Sequence, residues 1–392
     1  MSRFLKLLTG ALAFLSSYGL ATVLFLLLLL LTFLGTVEQT EKGLYETQNK
    51  FFGSVFLVHH FFDRIPVVLP GAYLVLSLLS INLLLGGILR IRKGWRQAGI
   101  LIAHGGIVLL MAWAFITYHY AFDGHMTLYE GERSNTIQSY HDWEIAVTEG
   151  SVEGSARQFV IADDRFKRAS KLSPASFTAD SLPFILSIFQ FFQNSAMQPK
   201  GPTEPSIGPV VNGFILEPLP KDPKNERNVA GLYCTVEDKT TGERSDGLLW
   251  AMGGTPLTVM AGGTTWHVEL RRKTWELPFT IVLNDFTREL HPRTSMPRVF
   301  KSEVTKLEGN TEQIIQISMN EPLRHRGYTL FQASWGPQDA GPNDRLFSTF
   351  AVAKNPADQF PLYACIVIAA GLLIHFSIKL YGYLQKENRR RA

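Results

Sequence analysis

The hydrophobic positions of this chain are concentrated in a few long segments rather than spread evenly along it. Four segments are apolar over a length that can cross a bilayer core of about 30 Å, which requires roughly 20 helical residues. They cover approximately residues 10–34, 67–89, 99–118 and 360–380. The pattern predicts four transmembrane α-helices, three near the beginning of the chain and one near its end.

Between the third and fourth apolar segments, polar and apolar residues alternate in short runs. Examples are WEIAVTE, RQFVIA, GLYCTVE, TWHVEL, QIIQISM and YTLFQASW, with turn-rich tracts such as DKTTGERSDG between them. Alternation with period two is typical of strands that bury one face. The sequence therefore predicts a membrane protein with a large all-β domain over residues 122–359. The helices fall in 1–121, which includes an outer loop at 36–66, and in 360–392.

Two segments of the β domain share a Leu-Pro-Phe start. SLPFILSIFQFFQ begins at Ser181 and WELPFTIVLNDF begins at Trp275, and each has a phenylalanine at the same later offset. In the second segment, Thr280, Asn284 and Phe286 are predicted on one face of a strand, and Phe279, Ile281, Leu283 and Asp285 on the other. The likeness favours two related β modules. A chance match, with the first segment as an amphipathic helix at the membrane surface, is the alternative.

The charges predict one orientation for these elements. The chain has 38 Lys and Arg against 34 Asp and Glu, and basic residues cluster at three places: before the first segment (Arg3, Lys6), after the second (Arg90, Arg92, Lys93, Arg96), and after the fourth (Lys386, Arg389, Arg390, Arg391). Because positive residues concentrate on the cytoplasmic side, both termini are expected in the cytoplasm and the β domain outside. The first segment has no small-residue cleavage site and is expected to remain as an anchor.

Several kinds of chemistry have no signal in the sequence. The two cysteines, Cys234 and Cys365, form no CxxC motif, and we expect two unpaired, buried thiols. No GxxxxGK[ST] motif, Ser-His-Asp set or paired acid site stands out. Nothing points to nucleic acid as a partner, and the lipid bilayer is the partner that the apolar segments imply.

A series of motifs, in order along nearly the whole chain, resembles the ResB family, also called CcsB, of system II cytochrome c biogenesis. The motifs are LGTVEQT with GLYETQNKFFGSVFLV, HGGIVLLMAWAF leading into DGHMTLYEGE, LPFTIVLNDFTRELHP, MNEPLRHRGYTLFQASW, and VAKNPADQFPLYACIVIAAGLL. Glu38 replaces the proline of the family's first motif. The tryptophan-rich WWD segment of the partner protein CcsA is absent from this sequence.

The resemblance implies a function and a set of partners. The chain would be the haem-handling subunit of a cytochrome c synthase complex, with a transiently bound b-type haem and with CcsA (ResC) as its membrane partner. Apocytochrome c would be the acceptor, thioredoxin-like proteins would keep its thiols reduced, and the site would be the bacterial inner membrane with the β domain in the periplasm. The family implies a subunit without catalytic residues of its own.

His104 is the residue most suited to bind haem. It lies inside the third apolar segment, where an ionisable side chain is costly unless it has a partner or a function. Neutral imidazole is a common axial ligand of haem iron, and the resemblance matches His104 to the family's membrane histidine. The adjacent Gly105 and Gly106 would let a flat macrocycle approach. The alternative is a structural histidine bonded to the backbone of a neighbouring helix.

Two further histidines are candidate haem-binding residues. His375 in the fourth segment is expected at the same depth as His104, about 9 Å from the cytoplasmic end, so an internal bis-histidine site is one possibility; the family picture instead takes the second ligand from CcsA. His119, with His125, marks the outer membrane edge and is either a second haem station or an interfacial anchor, as are His59 and His60 in the outer loop. No site is assigned to the remaining histidines, His141, His267, His291 and His325.

Two other functions remain open at this point. One is a haem-free scaffold that stabilises CcsA and recruits apocytochrome. The other is a membrane-tethered sensor or adhesion module. The basic residues beside the second apolar segment are explained by topology and anionic lipid, and contact with a haem propionate is a second use that they would permit.

Overall fold

The computed structural model describes residues 2–61, 64–91, 93–150, 157–201, 208–290, 297–337 and 344–391. The chain folds into two compact units. The helical unit consists of Met1–Phe122 and Lys354–Ala392, and the β unit consists of Asp123–Ala353.

The helical unit contains helices from both ends of the sequence and one β-hairpin. Its described helices are α1 (Ser2–Leu15), α2 (Tyr18–Lys42), α3 (Leu44–Phe51), α4 (Ala72–Asn82), α5 (Ala98–Tyr120) and α6 (Phe360–Arg391). A π-helix, Leu83–Leu89, continues directly from α4, and a 3₁₀ turn, Trp95–Gln97, precedes α5. The hairpin joins β1 (Phe56–Phe61) to β2 (Ile65–Pro70). Leucines of α2 and α4 pack with Phe51 of α3 and Leu57 of β1 as the core of this unit.

Four helical segments are long and apolar enough to cross a membrane, judged by length and composition. They are Tyr18–Lys42, Ala72–Leu89, Trp95–Tyr120 and Phe360–Arg391, and the shorter apolar helix Phe4–Leu15 precedes them. Apolar helices of this length indicate a membrane protein. The described residues therefore contain the four apolar helices and the large β-rich domain that the sequence predicts.

The first predicted segment, residues 10–34, has wrong boundaries because it runs across a break between two helices. The Ser17 side chain caps α2 by accepting the Leu20 N–H at 3.2 Å. Asn82 stabilises the break from the neighbouring helix, since its side-chain amide donates to the carbonyls of Leu15 (2.7 Å) and Ser17 (3.0 Å). A continuous leucine-rich run conceals this break in the hydropathy pattern.

The second and fourth predicted segments also change at one end. Residues 67–70 belong to strand β2, and the helix begins only at Ala72, after Gly71. A side chain at Gly71 would collide with the backbone of Ser54, so a glycine is required at this approach. The fourth helix begins at Phe360 as predicted and continues to Arg391, so the basic tail is helical rather than irregular.

The β unit contains the remaining strands. They are β3 (Phe122–Tyr129), β4 (Arg133–Glu149), β5 (Gln158–Ala162), β6 (Ala175–Phe177), β7 (Phe184–Phe192), β8 (Ser195–Pro199), β9 (Phe214–Pro218), β10 (Gly231–Asp238), β11 (Arg244–Trp250), β12 (Leu257–Ala261), β13 (Thr264–Leu290), β14 (Pro297–Glu308), β15 (Thr311–Ser318), β16 (Leu323–His325), β17 (Tyr328–Gly336) and β18 (Phe347–Lys354). The six example runs from the sequence each coincide with one of these strands, apart from Arg157 before β5 and Met319 after β15.

Within the described residues, the strands of the β unit form three sheets. A ten-stranded sheet has the order β15-β14-β13-β4-β3-β18-β17-β16, with β12 paired to β13 and β5 paired to β4. A four-stranded sheet has the order β11-β10-β7-β6, and β8 and β9 form a separate hairpin. The main core lies between the four-stranded sheet and one part of the large sheet, and includes Phe184, Leu232, Trp266 and Val268.

The two Leu-Pro-Phe segments are both strands, so the helix alternative for the first is wrong. Leu182 and Phe184 are buried at the start of β7, and Leu277 and Phe279 are buried in the corresponding positions of β13. The two strands lie in different sheets of a single compact unit. The two segments therefore share a local strand pattern and do not mark two separate modules.

The predicted faces of the second segment are correct up to Leu283 and wrong beyond it. Phe279, Ile281 and Leu283 are buried, but Asp285 is exposed and Phe286 is 4% exposed. The pairing of β13 with β14 shifts register between Leu283 and Asp285. Because a bulge adds one residue to a strand, it exchanges the two faces from that point on.

Candidate functional site

His104 lies on α5 and faces the π-helix that follows α4. Its Nδ1 is 2.9 Å from the carbonyl oxygen of Gly87. A carbonyl can only accept a hydrogen bond, so Nδ1 carries the proton and donates it. Gly87 lies in the last turn of its helix, where carbonyls lack partners within the helix, and His104 satisfies one of them.

The approach of His104 to this helix depends on the glycine at position 87. A Cβ at Gly87 would lie 2.7 Å from Nδ1 of His104 and 3.2 Å from its Cε1. Even the smallest side chain would therefore displace the imidazole. The segment Leu83–Leu89 contains adjacent glycines, and the π-helical widening of an α-helix is often found at functional sites.

The protonation of Nδ1 determines what the other ring nitrogen of His104 can do. With its proton on Nδ1, the neutral imidazole has a lone pair on Nε2, which is the form that binds a metal ion. In the part of the chain that the structure describes, Nε2 is neither hydrogen-bonded nor fully enclosed. Histidines that ligate metals usually donate their other N–H to a carboxylate or a backbone carbonyl. The surroundings of His104 therefore fit an axial haem ligand.

The two glycines after His104 have different environments. A Cβ at Gly105 would meet no atom within 4 Å, so this position opens onto free space as predicted. Gly106 faces α6, where a Cβ would lie 2.7 Å from the Ile368 side chain and 3.2 Å from the Ala364 carbonyl. The expectation that both glycines make room for a macrocycle is therefore wrong for Gly106, which is required for helix packing.

Small residues bring α5 and α6 into close contact. Gly99, Ala103 and Gly106 follow one another along one side of α5, and Gly371 of α6 approaches Gly99 and Ala103 closely enough to exclude any side chain. Near the beginning of α6, the rings of Trp113 and Phe360 stack with centroids 3.6 Å apart. This packing fixes which levels of the two antiparallel helices meet.

The register of this contact places His375 opposite Gly99. A Cβ at Gly99 would collide with the backbone nitrogen of His375. His104 follows Gly99 by five residues, or about 7.5 Å along the helix axis. The expectation that His104 and His375 share a depth is therefore wrong, because the contact between small residues of α5 and α6 places His375 level with Gly99. The Nδ1 atom of His375 is buried without a hydrogen-bond partner among the described residues, and its role as a haem ligand stays a prediction.

His119 lies in an aromatic cluster at the other end of α5. Its ring contacts Phe115 (centroids 4.4 Å apart), Tyr118 (5.0 Å) and Tyr73 (6.3 Å), and its Nε2 is 3.5 Å from the Tyr73 hydroxyl. The side chain is exposed. Exposed aromatic and histidine side chains at a helix end are typical of an interfacial anchor. A role for His119 in binding haem stays a prediction.

The sequence did not single out a charged cluster around Glu38, which lies in the last turns of α2. Glu38 is 9% exposed, and its carboxylate lies 2.8 Å from Lys42, 2.7 Å from Lys50 and 3.3 Å from Nδ1 of His59. His59 is further enclosed by the ring of Phe61, with centroids 4.7 Å apart. Lys50 therefore links α3 to Glu38 of α2, whereas Nδ1 of His59 lies nearby without a hydrogen-bond partner among the described residues.

The basic residues after the second span have one defined contact. Arg90 donates to the Ser16 hydroxyl at 2.9 Å, across from the break between α1 and α2. Lys93 and Arg96 are exposed. Arg92 lies outside the described residues. Contact of this group with a haem propionate stays a prediction.

Two histidines of the β unit belong to a cluster around the guanidinium of Arg272. Arg272 stacks on Trp143 at 3.8 Å and donates to the carbonyls of Tyr140 (2.9 Å) and Asn228 (2.8 Å). His125 stacks on Tyr140, and the Asn225 amide donates to Nδ1 of His141 at 3.0 Å.

Burial changes the ionisation of this cluster. It lowers the pKa of His125, where the charge of Arg272 acts in the same direction, and it lowers the pKa of His141. Burial also raises the pKa of Tyr140 to about 12. At neutral pH both imidazoles are therefore neutral beside the Arg272 cation.

His325, in contrast, has partners at both ring nitrogens. Its Nε2 donates to Glu308 at 2.7 Å, and its Nδ1 accepts from Lys306 at 3.4 Å. The bond from His325 lowers the pKa of Glu308. His291 lies outside the described residues. No group of three or more His, Cys, Asp or Glu that could hold a metal ion occurs among the residues that are described.

Both cysteines are free, as predicted, and they differ in exposure. Cys234 is buried in the core of the β unit, and burial raises the pKa of its thiol to about 12. Cys365 is exposed on α6, so the expectation of a buried thiol is wrong there. A thiol with a raised pKa is a poor nucleophile at neutral pH.

One family model matches the chain. It is that of the ResB-like family, over residues 249–345, which is about a quarter of the sequence. The matched residues include the LPFTIVLNDF and YTLFQASW strands; His104, His119 and His375 lie outside them. No curated protein matches the chain. The match implies a role in cytochrome c biogenesis, and the resemblance of this chain to the ResB/CcsB family is confirmed over residues 249–345.

Proposed function

We propose that this protein holds or delivers haem in the membrane for covalent attachment to apocytochrome c, in complex with a CcsA-type partner. The observation that carries the proposal is the hydrogen bond from Nδ1 of His104 to the Gly87 carbonyl, which leaves Nε2 as an open ligand inside an apolar helix. The ResB-like match over residues 249–345 supports a role in cytochrome c biogenesis.

The proposed division of labour follows from what each unit contains. The apolar helices would place His104 in the bacterial inner membrane, with both termini in the cytoplasm as the basic residues indicate. The β unit would lie in the periplasm and receive the apocytochrome. Bound haem would supply the iron that His104 ligates and the vinyl groups that react with cysteine thiols.

The protein's own contribution is to position haem rather than to catalyse its attachment. His104 would hold the iron, and Gly87 would fix the tautomer and the orientation of the ring. Gly105 would leave space beside them. The second axial ligand would come from His375 or from the CcsA-type partner. Thioredoxin-like proteins would keep the acceptor thiols reduced.

The absorption spectrum of the complex tests this proposal. We expect the protein, purified with its CcsA-type partner, to show a Soret band that weakens in His104→Ala and recovers when imidazole is added. Gly382→Ala on α6 is the matched control, because its new methyl group meets no atom within 4 Å and Gly382 has no part in the proposed site. The control should keep the band and the yield of matured cytochrome.

A haem-free scaffold predicts a different result. The bond to Gly87 is also the contact that a purely structural histidine would make, as a cap on the neighbouring helix. In that case His104→Ala would lower the stability of the complex without a Soret band to lose. A band of unchanged intensity and position in His104→Ala would rule out His104 as the ligand.

A further inference from the structure

A cavity of about 640 Å³ lies in the β unit beside β11, the last strand of the four-stranded sheet. Its walls come from the β8–β9 hairpin, from β11, from the turn before β12 and from β13. Leu248, Leu249 and Trp250 of β11 all line it. Since the side chains of a strand alternate between its two faces, three successive lining residues show that the cavity runs along the edge of β11.

The backbone of β11 presents hydrogen-bonding groups to this cavity. Two hydrogen bonds show which residues of β11 bond to β10: Ala251 N–H donates to the Ala230 carbonyl, and Asp238 N–H donates to the Glu243 carbonyl. In an antiparallel pair every second residue bonds to the neighbouring strand. By this alternation Leu249 bonds toward β10, whereas Leu248 and Trp250 direct their N–H groups away from it. Among the described residues, no strand pairs with β11 on that side.

The opposite wall of the cavity also offers backbone groups. β12 pairs with β13 only as far as Leu257 and Val268, because Pro256 precedes β12 and has no N–H to donate. Leu270 is two residues beyond Val268, so its N–H and carbonyl point to the same side of β13 as those of Val268. At this position β12 has ended, and no partner strand faces Leu270 among the described residues. Backbone N–H and carbonyl groups that line a cavity without a partner strand need a hydrogen-bond partner from water or from a ligand.

Apolar side chains complete the cavity on the side of the hairpin. Met197 and Phe214 line it, and Phe214 is 39% exposed. The hairpin is fixed in place, since the Trp250 indole N–H donates to the Ser195 carbonyl at 3.1 Å and the Leu216 N–H donates to the Tyr233 hydroxyl at 2.7 Å. The cavity therefore combines apolar walls on the side of the hairpin with a strand edge whose N–H groups at Leu248 and Trp250 have no partner strand, although the Trp250 carbonyl already accepts the Gly253 N–H at 2.8 Å.

We propose that this cavity binds an extended peptide segment, which pairs with the free edge of β11 as an added strand. Main-chain hydrogen bonds to Leu248 and Trp250 would supply the pairing, and the apolar walls would accept alternate side chains, as in other proteins that bind peptides by strand addition. The proposal rests on the function proposed above, in which the β unit receives apocytochrome c. The peptide is then a segment of the unfolded acceptor.

The test uses full-length protein in detergent micelles and a synthetic peptide. The peptide carries the Cys-X-X-Cys-His attachment sequence of c-type cytochromes with apolar flanks, and serine replaces both cysteines to prevent thiol chemistry. We expect it to bind, and we expect hydrogen exchange to slow at the amides of Leu248 and Trp250. A second peptide with proline at alternate positions should bind at least about tenfold more weakly, because proline cannot donate to a strand.

A pair of variants tests the location. Thr255 is exposed and lines the cavity, so Thr255→Trp should fill it and weaken peptide binding at least about tenfold. Met260→Trp is the matched control, because Met260 is 69% exposed and does not line the cavity. Both variants should keep the thermal unfolding midpoint of the native protein.

Three results would overturn the proposal: equal affinity of the peptide for Thr255→Trp and the native protein, equal affinity for the two peptides, or binding without protection of the two amides. The last result would mean that the peptide binds without pairing with the edge of β11. Failure here is distinct from failure of the proposed function, since the Soret band is measured on the complex with the CcsA-type partner and without any peptide.

Discussion

His104 of the helical unit and His325 of the β unit both contact polar groups, and they differ in how many ring nitrogens are engaged. His104 uses only Nδ1, on the Gly87 carbonyl. His325 uses both nitrogens, on Glu308 and Lys306. A histidine can ligate a metal only through a nitrogen that is free of hydrogen and of other partners. The number of engaged nitrogens therefore separates a candidate ligand from a structural histidine more sharply than sequence position does.

The largest expected effect concerns Gly87, which should control His104 without touching haem. In Gly87→Ala the new Cβ would lie 2.7 Å from Nδ1 of His104, so the ring must turn away from the carbonyl. Loss of the partner that orients a metal-ligating histidine costs about 10- to 100-fold in affinity. We expect haem affinity, measured by Soret titration of the complex, to fall by this amount.

Gly382→Ala is the control for this change, because it adds the same methyl group to open space on α6. Added imidazole should restore the Soret band of Gly87→Ala, since it replaces the displaced ring. An affinity in Gly87→Ala equal to that of Gly382→Ala would contradict the role of Gly87.

A smaller effect is expected at His325, where substitution should change the stability of the β unit and leave haem binding unchanged. His325→Ala removes one partner of Glu308, which keeps Arg326, and the imidazole partner of the buried Lys306, so the free energy of unfolding of the β unit should fall by about 1 kcal/mol from the loss at Lys306. The Soret band should not change. Chemical denaturation followed by tryptophan fluorescence measures the first quantity. A weakened Soret band in His325→Ala, with the β unit still folded, would remove the distinction between the two histidines.

The smallest effect is the response of the β unit to acid. Burial holds the pKa of His125 and His141 below the ordinary value of 6.5, so the unfolded chain takes up protons at a higher pH than the folded chain does. Above pH 6.5 the free energy of unfolding contains the full contribution of the two neutral imidazoles. This contribution is lost as the pH falls through the lowered pKa values. The thermal unfolding midpoint should therefore decrease between pH 7 and pH 5.

Replacing both histidines tests whether they cause the loss of stability between pH 7 and pH 5. In His125→Gln with His141→Asn, the decrease between pH 7 and pH 5 should become smaller, whereas a second decrease below about pH 4.5 should remain, because the lowered pKa of Glu308 belongs to another cluster. An identical pH profile in the double variant would assign the acid sensitivity to other groups.

Elements with a strong local pattern could be predicted from the sequence. Helix α5 covers Ala98–Tyr120, against a predicted 99–118, and the first residue of α6 was predicted correctly. The alternation in the β domain located its strands, because each strand buries one face on a core. The candidate ligand His104 also follows from sequence, since an ionisable residue within an apolar helix requires a reason.

Features that depend on contacts between elements could not be predicted. The break at Ser17 is stabilised by Asn82, which is 65 residues away in the chain. The bulge after Leu283 exchanges the faces of β13 without any change in composition. The depth of His375 depends on which small residues of α5 and α6 meet, and the hydropathy pattern contains no information about that register. The role of Gly87 is likewise visible only when its distance to His104 is known.

The central claim, that Nε2 of His104 ligates haem iron, is tested most directly by replacing that nitrogen with an isotopically labelled one. In His104→Gly, ¹⁵N-imidazole can enter the space that the ring leaves. Pulsed electron paramagnetic resonance of the ferric complex should then detect ¹⁵N coupled to the iron, and the native protein treated with the same imidazole should show only ¹⁴N. If His104→Gly binds haem with the g values of the native protein and gains no ¹⁵N coupling, the axial ligand is another residue and the account is contradicted.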